Sequence, residues 1–179
     1  MGGQTEMTTN PIFRVRALGS FEQEPGCPDY AVDSLSGERL QHLCKGECYN
    51  PSDQRRLITR IELVRIQPQN HPDEPVAALI ESPWRSFECE PDPAGCSVTF
   101  EDPDFATDGR DTLYYVRAYE ATALGINAAN LRCEYDEDGR CAKVDLCNDI
   151  DGVGDDCLAE HEPRAWSSPI FVDFAAPTG

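Results

Sequence analysis

The sequence predicts a mainly β protein built as an antiparallel β-sandwich, immunoglobulin-like or jelly-roll-like, with long disulfide-closed loops and one or two short helices. Short segments that alternate apolar and polar residues recur along the 179-residue chain, as in half-buried strands. The 14 prolines and 13 glycines cluster between these segments, which is typical of turns. The length fits one domain. We place it at 13–179, after a flexible segment 1–12 and with a cysteine-rich insertion around 120–163.

The first third of the chain is expected to contain one strand and two short helices. FRVRAL at 13–18 places apolar side chains on one face and arginines on the other, which predicts a half-buried strand. Asp29 stands where a helical turn can begin, and Ser36 can cap a second helix through its hydroxyl group. YNPSD at 49–53 is rich in residues that favour turns, so we expect a turn there.

The remaining strands are predicted from β-branched and aromatic content. In ITRIELVRI the apolar phase shifts, with Ile61 and Leu63 on one face and Val64 and Ile66 on the other. A bulge or burial on both faces would explain this shift. Trp84 and Trp166 are interpreted as core or rim packing rather than as a ligand platform. The predicted strands are 58–66, 76–84, 97–100, 112–120 and 167–174.

The charge balance excludes two classes of partner. The chain has 15 basic and 33 acidic residues, for a net charge of −18. Such a surface repels phosphate backbones and anionic lipid, so we expect no nucleic-acid partner. No apolar run approaches the length of a membrane span, so we expect no membrane insertion.

Nine cysteines indicate an oxidising compartment, which for a bacterial protein is the periplasm or the cell exterior. Three pairs each bracket a turn-rich segment, as short disulfide-closed loops do. Three other cysteines are ambiguous, and the odd total leaves at least one without a partner in the chain. The bracketing pairs are Cys89 with Cys96, Cys133 with Cys141, and Cys147 with Cys157, and the ambiguous set is Cys27, Cys44 and Cys48.

The sequence contains no recognised catalytic motif, so we assign no residue a catalytic role. His42, His71 and His161 are far apart and form no metal-binding motif such as HExxH. A zinc site of His42 with Cys44 and Cys48 is an alternative to disulfide or packing roles, which we favour. The first residues, MGGQTEMTTNP, have neither the basic nor the apolar region of a signal peptide. We therefore expect this chain to be an internal piece of a longer exported protein.

The stretch CNDIDGVGDDC is a candidate calcium-binding loop. Calcium takes six to eight oxygen ligands around a glycine-containing turn. The stretch fails an EF-hand loop in both registers that place a glycine sixth, but DIDGVGDDC is similar to one thrombospondin type 3 repeat. A disulfide-closed acidic loop is the favoured interpretation, and calcium is the alternative. Its ligands would come from Asp149, Asp151, Asp155, Asp156 and Glu160.

Six stretches together resemble the C-terminal region of a bacterial domain-of-unknown-function family. They are FRVRALGSFEQEPGCPDY, CKGECYNPSDQRRLITRIELVRIQPQ, EPVAALIESPWR, LYYVRAYE, LRCEYDEDGRC and DDCLAEHEPRAWSSPIFVD. The full-length members are exported proteins with a PHP-like metallohydrolase domain before this region. MGG at 1–3 is similar to the GVPMGG segment that leads into the region in the family. The resemblance implies that the metal ligands of such an enzyme lie upstream, outside this chain.

These observations lead to a functional hypothesis with two rivals. The favoured hypothesis is a non-catalytic accessory domain that packs on the upstream catalytic domain of the same protein. The first rival is an extracellular calcium-binding or adhesion-type module that uses the acidic loop 147–160. The second is a hydrolase whose site is completed by a partner chain.

Overall fold

The computed structural model describes residues 2–27, 29–44, 49–126, 133–144 and 158–176. These residues confirm the predicted mainly β class. The helical elements are α1 (Asp29–Ser34), α2 (Gly37–Cys44), a 3₁₀ turn (Val76–Leu79) and α3 (Phe105–Asp108). The strands are β1 (Gly3–Met7), β2 (Ile12–Ala17), β3 (Phe21–Pro25), β4 (Tyr49–Arg55), β5 (Ile58–Ile66), β6 (Ile80–Glu88), β7 (Cys96–Glu101), β8 (Thr112–Glu120), β9 (Ala123–Ile126), β10 (Cys133–Tyr135), β11 (Cys141–Val144), β12 (Leu158–His161), β13 (Arg164–Trp166) and β14 (Ile170–Phe174).

One six-stranded sheet forms the centre of the described structure. Its strand order is β1-β14-β8-β5-β6, and β13 pairs with β8 beyond the end of β14. Within the same described ranges, four two-stranded ribbons accompany it: β2–β7, β3–β4, β9–β12 and β10–β11. All described pairings are antiparallel except β1 with β14, which is parallel. β1 lies within the segment that was predicted to be flexible.

The core lies between the central sheet and the β2–β7 ribbon. Ile61 and Leu63 are fully buried and pack with Phe100 of β7, while Phe13 and Val15 of β2 cover them further. A second cluster joins Phe105, Tyr114 and Val172 beside it. The ribbon has only two strands, so the second layer over this face of the sheet is narrow.

The predicted phase shift in β5 has a structural basis. β5 pairs with β8 in regular register from Arg60 to Ile66, and the register shift between β5 and β6 comes from extra residues in β6, between Glu81 and Arg85. Val64 points to the opposite face from Leu63 and is also fully buried. Burial on two faces is therefore confirmed as the explanation, whereas the predicted bulge does not fall at the phase shift of β5.

Several local predictions are corrected. Residues 49–53 belong to strand β4 rather than to a turn, because β4 pairs with β3 and tolerates Pro51 at a register shift. Residues 76–79 form a 3₁₀ turn, so the strand predicted at 76–84 begins at Ile80. The helix predicted after Ser36 is confirmed, since the Ser36 hydroxyl accepts a hydrogen bond from the amide of Arg39 at 3.2 Å.

Candidate functional site

The residues proposed for calcium fall mostly beyond the part of the chain that can be described. Asp149, Asp151, Asp155 and Asp156, with Cys147 and Cys157, lie outside the described residues. Glu160 is exposed on β12, opposite Leu124 of β9. The calcium site therefore stays a prediction.

The two other bracketing pairs form the disulfides that the sequence predicts. Cys89 joins Cys96 across the connection from β6 to β7, and Cys133 joins Cys141 across the β10–β11 hairpin. Of the ambiguous set, Cys27 is also disulfide-bonded. Cys44 ends α2, and Cys48 lies outside the described residues.

The three histidines are separated in the fold. His42 lies in α2 and His71 in the loop before the 3₁₀ turn. His161 ends β12, and its Nδ1 is 2.9 Å from the carbonyl oxygen of Ala123. Within the described ranges, no three His, Cys, Asp or Glu side chains form a group able to hold a metal ion. No described helix has the length and apolar character to cross a membrane.

A cleft of about 640 Å³ lies between β2 and the β13–β14 edge of the central sheet. Its walls carry Arg14 and Arg16 on one side and Arg164 and Trp166 on the other. Apolar side chains of the core face make up its floor: Val15, Ala17, Ile58, Val116, Ala118, Ala165 and Ile170. The cleft thus opens the core between the two layers to solvent.

The β13 wall of the cleft is an unpaired strand edge. The amide of Glu120 donates to the carbonyl of Pro163 and that of Ser167 to the carbonyl of Val116, each at 2.9 Å. Hydrogen-bonded positions alternate along an antiparallel ladder, so the backbone groups of Arg164 and Trp166 point away from β8. No described strand pairs with this outer side of β13.

The β2 wall has the same property. The amide of Asp102 donates to the carbonyl of Pro11 at 3.1 Å, which places residues 11, 13, 15 and 17 in the hydrogen-bonded positions toward β7. The backbone groups of Arg14 and Arg16 therefore point outward. Within the described chain, β2 pairs with β7 alone. Two open strand edges thus border one apolar floor.

The cleft is basic, although the chain as a whole is strongly acidic. Its lining contains three arginines and one carboxylate, Glu120. That carboxylate already accepts hydrogen bonds from the amide and hydroxyl groups of Ser20, at 2.5 and 3.1 Å. By contrast, none of Arg14, Arg16 and Arg164 has an ion pair with a described carboxylate.

Behind the β13 wall, charged and aromatic side chains cover the outer face of the central sheet. Arg60 lies 3.6 Å above the ring of Tyr119 and binds both carboxylate oxygens of Glu162, at 2.5 and 2.9 Å. This hydrogen bonding lowers the pKa of Glu162. Arg164 stacks over Tyr119 at 5.3 Å, beside Trp166, whose exposed fraction is 59%. These contacts connect the residues at the start of β13 to β5 and β8.

A buried ion pair joins the core to the start of α3. Asp102 is 1% exposed and accepts hydrogen bonds from Arg65 at 3.0 Å and from the Tyr114 hydroxyl at 2.7 Å. Burial raises the pKa of Tyr114, and the neighbouring Asp102 raises it further. Since every partner is internal, this network has a structural role rather than that of an accessible reaction centre.

Comparisons with protein families, with curated proteins and with solved structures gave no match to this chain.

The cleft was not predicted from the sequence. One signal was present, since FRVR places Arg14 and Arg16 on the solvent face of a strand with no acidic residue between them. The interpretation of Trp84 as core packing is confirmed, because it contacts both buried clusters. Trp166 is largely exposed and lines the rim of the cleft.

Proposed function

We propose that this chain is a non-catalytic accessory domain of an exported protein with a PHP-type metallohydrolase domain, and that it packs on that domain through the cleft. The observation that supports docking is the apolar floor bordered by two open strand edges. Unpaired edges and exposed core residues are sites where proteins associate. A partner that covers them removes apolar surface from water and pairs the free backbone groups.

The same proposal accounts for the incomplete second layer. A β-sandwich needs two facing sheets that both cover the core. In the described chain, β2–β7 covers only part of the central sheet. We propose that the fold is a sandwich whose open side is completed by the partner domain.

The disulfides favour the periplasm or the cell exterior as the compartment. Cytosolic thiols are kept reduced, whereas exported proteins retain their disulfides. Five described cysteines are disulfide-bonded: Cys27, Cys89, Cys96, Cys133 and Cys141. Their stabilising effect suits a domain that works outside the cytosol.

Hydrogen exchange tests the docking function directly. The chain alone is compared with the same chain extended by the upstream segment of its reading frame. We expect slower exchange at the outward amides of Arg16, Arg164 and Trp166 in the longer protein. Amides of the β10–β11 hairpin serve as the internal control and should not change. Equal exchange at the cleft in both proteins would show that docking does not use it.

An assay for hydrolysis tests the non-catalytic assignment. The purified chain is incubated with a chromogenic phosphate monoester and magnesium, manganese or zinc ions. We expect no turnover above the rate of the free metal ion. Turnover that a chelator abolishes would overturn the non-catalytic assignment.

A further inference from the structure

The shape of the cleft selects an extended chain as its occupant. A strand residue in a packed sheet takes up about 160 Å³, from a rise of about 3.3 Å, a strand spacing of about 4.8 Å and a sheet spacing of about 10 Å. A volume of 640 Å³ therefore holds about four residues of a strand. A helix cannot pair its backbone with the open edges of β2 and β13, because its own backbone groups are bonded internally.

The charge of the cleft selects an acidic segment. Arg14 and Arg16 are two residues apart on β2, so their side chains lie on the same solvent-facing side. An added strand that pairs with β2 would place alternate side chains opposite them. Directly opposed side chains in antiparallel strands have Cβ atoms about 5 Å apart, close enough for ion pairs. Carboxylates at alternate positions would therefore meet the two arginines.

A second copy of this chain is a poor occupant. Each copy carries a net charge of −18, so two copies repel each other. A different protein surface that carries carboxylates on a strand is therefore the occupant that we consider.

We propose that the cleft binds an extended acidic segment of the partner domain, which adds as a strand to the outward edge of β2. Its apolar side chains pack on Val15, Ala17 and Val116, and its carboxylates pair with Arg14 and Arg16. Its far edge faces the open backbone groups of Arg164 and Trp166. This inference rests on the proposed docking function and specifies the chemistry of the partner.

Short peptides test the inference through amide chemical shifts of the chain. The probe is TVEVEVT, which alternates apolar and acidic residues. TVKVKVT reverses its charge, and a third peptide is TVEVEVT with its five central amides N-methylated. We expect TVEVEVT to shift the amides of Arg14 and Arg16 saturably. TVKVKVT should bind about tenfold more weakly than TVEVEVT, because it places two lysines opposite Arg14 and Arg16. The net negative charge of the chain would by itself favour the lysine peptide. The N-methylated peptide should not bind, because its five central residues lack N–H donors.

Charge-reversed variants locate the binding site. Arg14→Glu combined with Arg16→Glu should reverse the preference, so that TVKVKVT binds more tightly than TVEVEVT. The matched control combines Arg39→Glu with Arg140→Glu, which changes the net charge equally at exposed positions outside the cleft. The control should retain the preference for the acidic peptide.

Four outcomes would overturn the inference. They are the absence of a saturable shift with TVEVEVT, equal binding of the lysine peptide, equal binding of the N-methylated peptide, and stronger shifts at the same amides with sodium dodecanoate. The last would identify a site for anionic amphiphiles. If hydrogen exchange at the cleft amides slows in the extended protein but TVEVEVT does not bind, docking through the cleft is supported and only the acidic strand is refuted.

Discussion

Asp102 provides a sharp test of what holds the layers together. Its carboxylate accepts hydrogen bonds from Arg65, from the Tyr114 hydroxyl and from the amide of Asp104, at 2.7 to 3.1 Å. Asp102→Asn keeps the size of the side chain but removes its charge and one acceptor oxygen. Arg65, which is 9% exposed, then loses its most buried anionic partner while keeping Glu81.

The expected cost follows from the contacts that the substitution removes. A hydrogen bond to a charged group contributes about 1.5–3 kcal/mol, and breaking a buried ion pair costs about 3–5 kcal/mol. Because Glu81 still contacts Arg65 at 2.5 Å, we expect the lower end, about 3 kcal/mol. For a chain of this size that corresponds to a fall in Tm of roughly 6–12 °C.

Urea unfolding with the disulfides intact measures this cost. The matched control is Asp104→Asn, because Asp104 faces the same guanidinium group at 3.8 Å from an exposed position. Exposed ion pairs contribute at most about 1 kcal/mol, so this variant should remain close to the wild type. Equal free energies of unfolding for the two variants would refute the assignment of Asp102 as a buried anchor.

Three further predictions concern the loops and the outer face. Replacing Cys89 and Cys96 by alanine should lower the free energy of unfolding by about 2–3 kcal/mol, since their disulfide closes a short loop; an unchanged urea midpoint would contradict this. Burial alone would raise the pKa of Glu62, but hydrogen bonds from Arg60 and Tyr119 lower it below 4.5. Its stabilising contribution is therefore present above pH 4.5 and is lost as the pH falls through the lowered value, so Glu62→Gln should flatten the stability curve in acid. Millimolar calcium should leave Tm equal to that in chelator; a rise in Tm, measured by thermal unfolding and abolished by Asp151→Asn, would establish the calcium alternative.

The central strands were predictable because their side chains alone indicate burial. β5 and β8 span 58–66 and 112–120, the limits that the sequence predicts. Both are rich in β-branched or aromatic residues, which favour strands in most contexts. The disulfides of Cys89 with Cys96 and of Cys133 with Cys141 were predictable because each joins two cysteines that are close in sequence.

The edges of the structure were not predictable from local patterns. β1 has the polar sequence GQTEM and becomes a strand only by pairing with β14, whose residues lie 167 positions further along the chain. β4 contains Pro51, which disfavours central strands but is tolerated at an edge. The cleft depends on which sides of β2 and β13 stay unpaired, and that is decided by the whole topology.

The parallel pairing of β1 with β14 has a consequence for biosynthesis. Gly3 pairs with Ile170 and Met7 with Phe174. The first described strand therefore cannot pair until the last described strand has been synthesised. A ribosome extends a chain from its N-terminus, and pairing between such distant segments is slow to form. β5, β6 and β8 can assemble while the chain is still growing, but β1 can join the central sheet only after β14 has left the ribosome. Closure of the central sheet by β1 is therefore a step that follows synthesis of the whole chain.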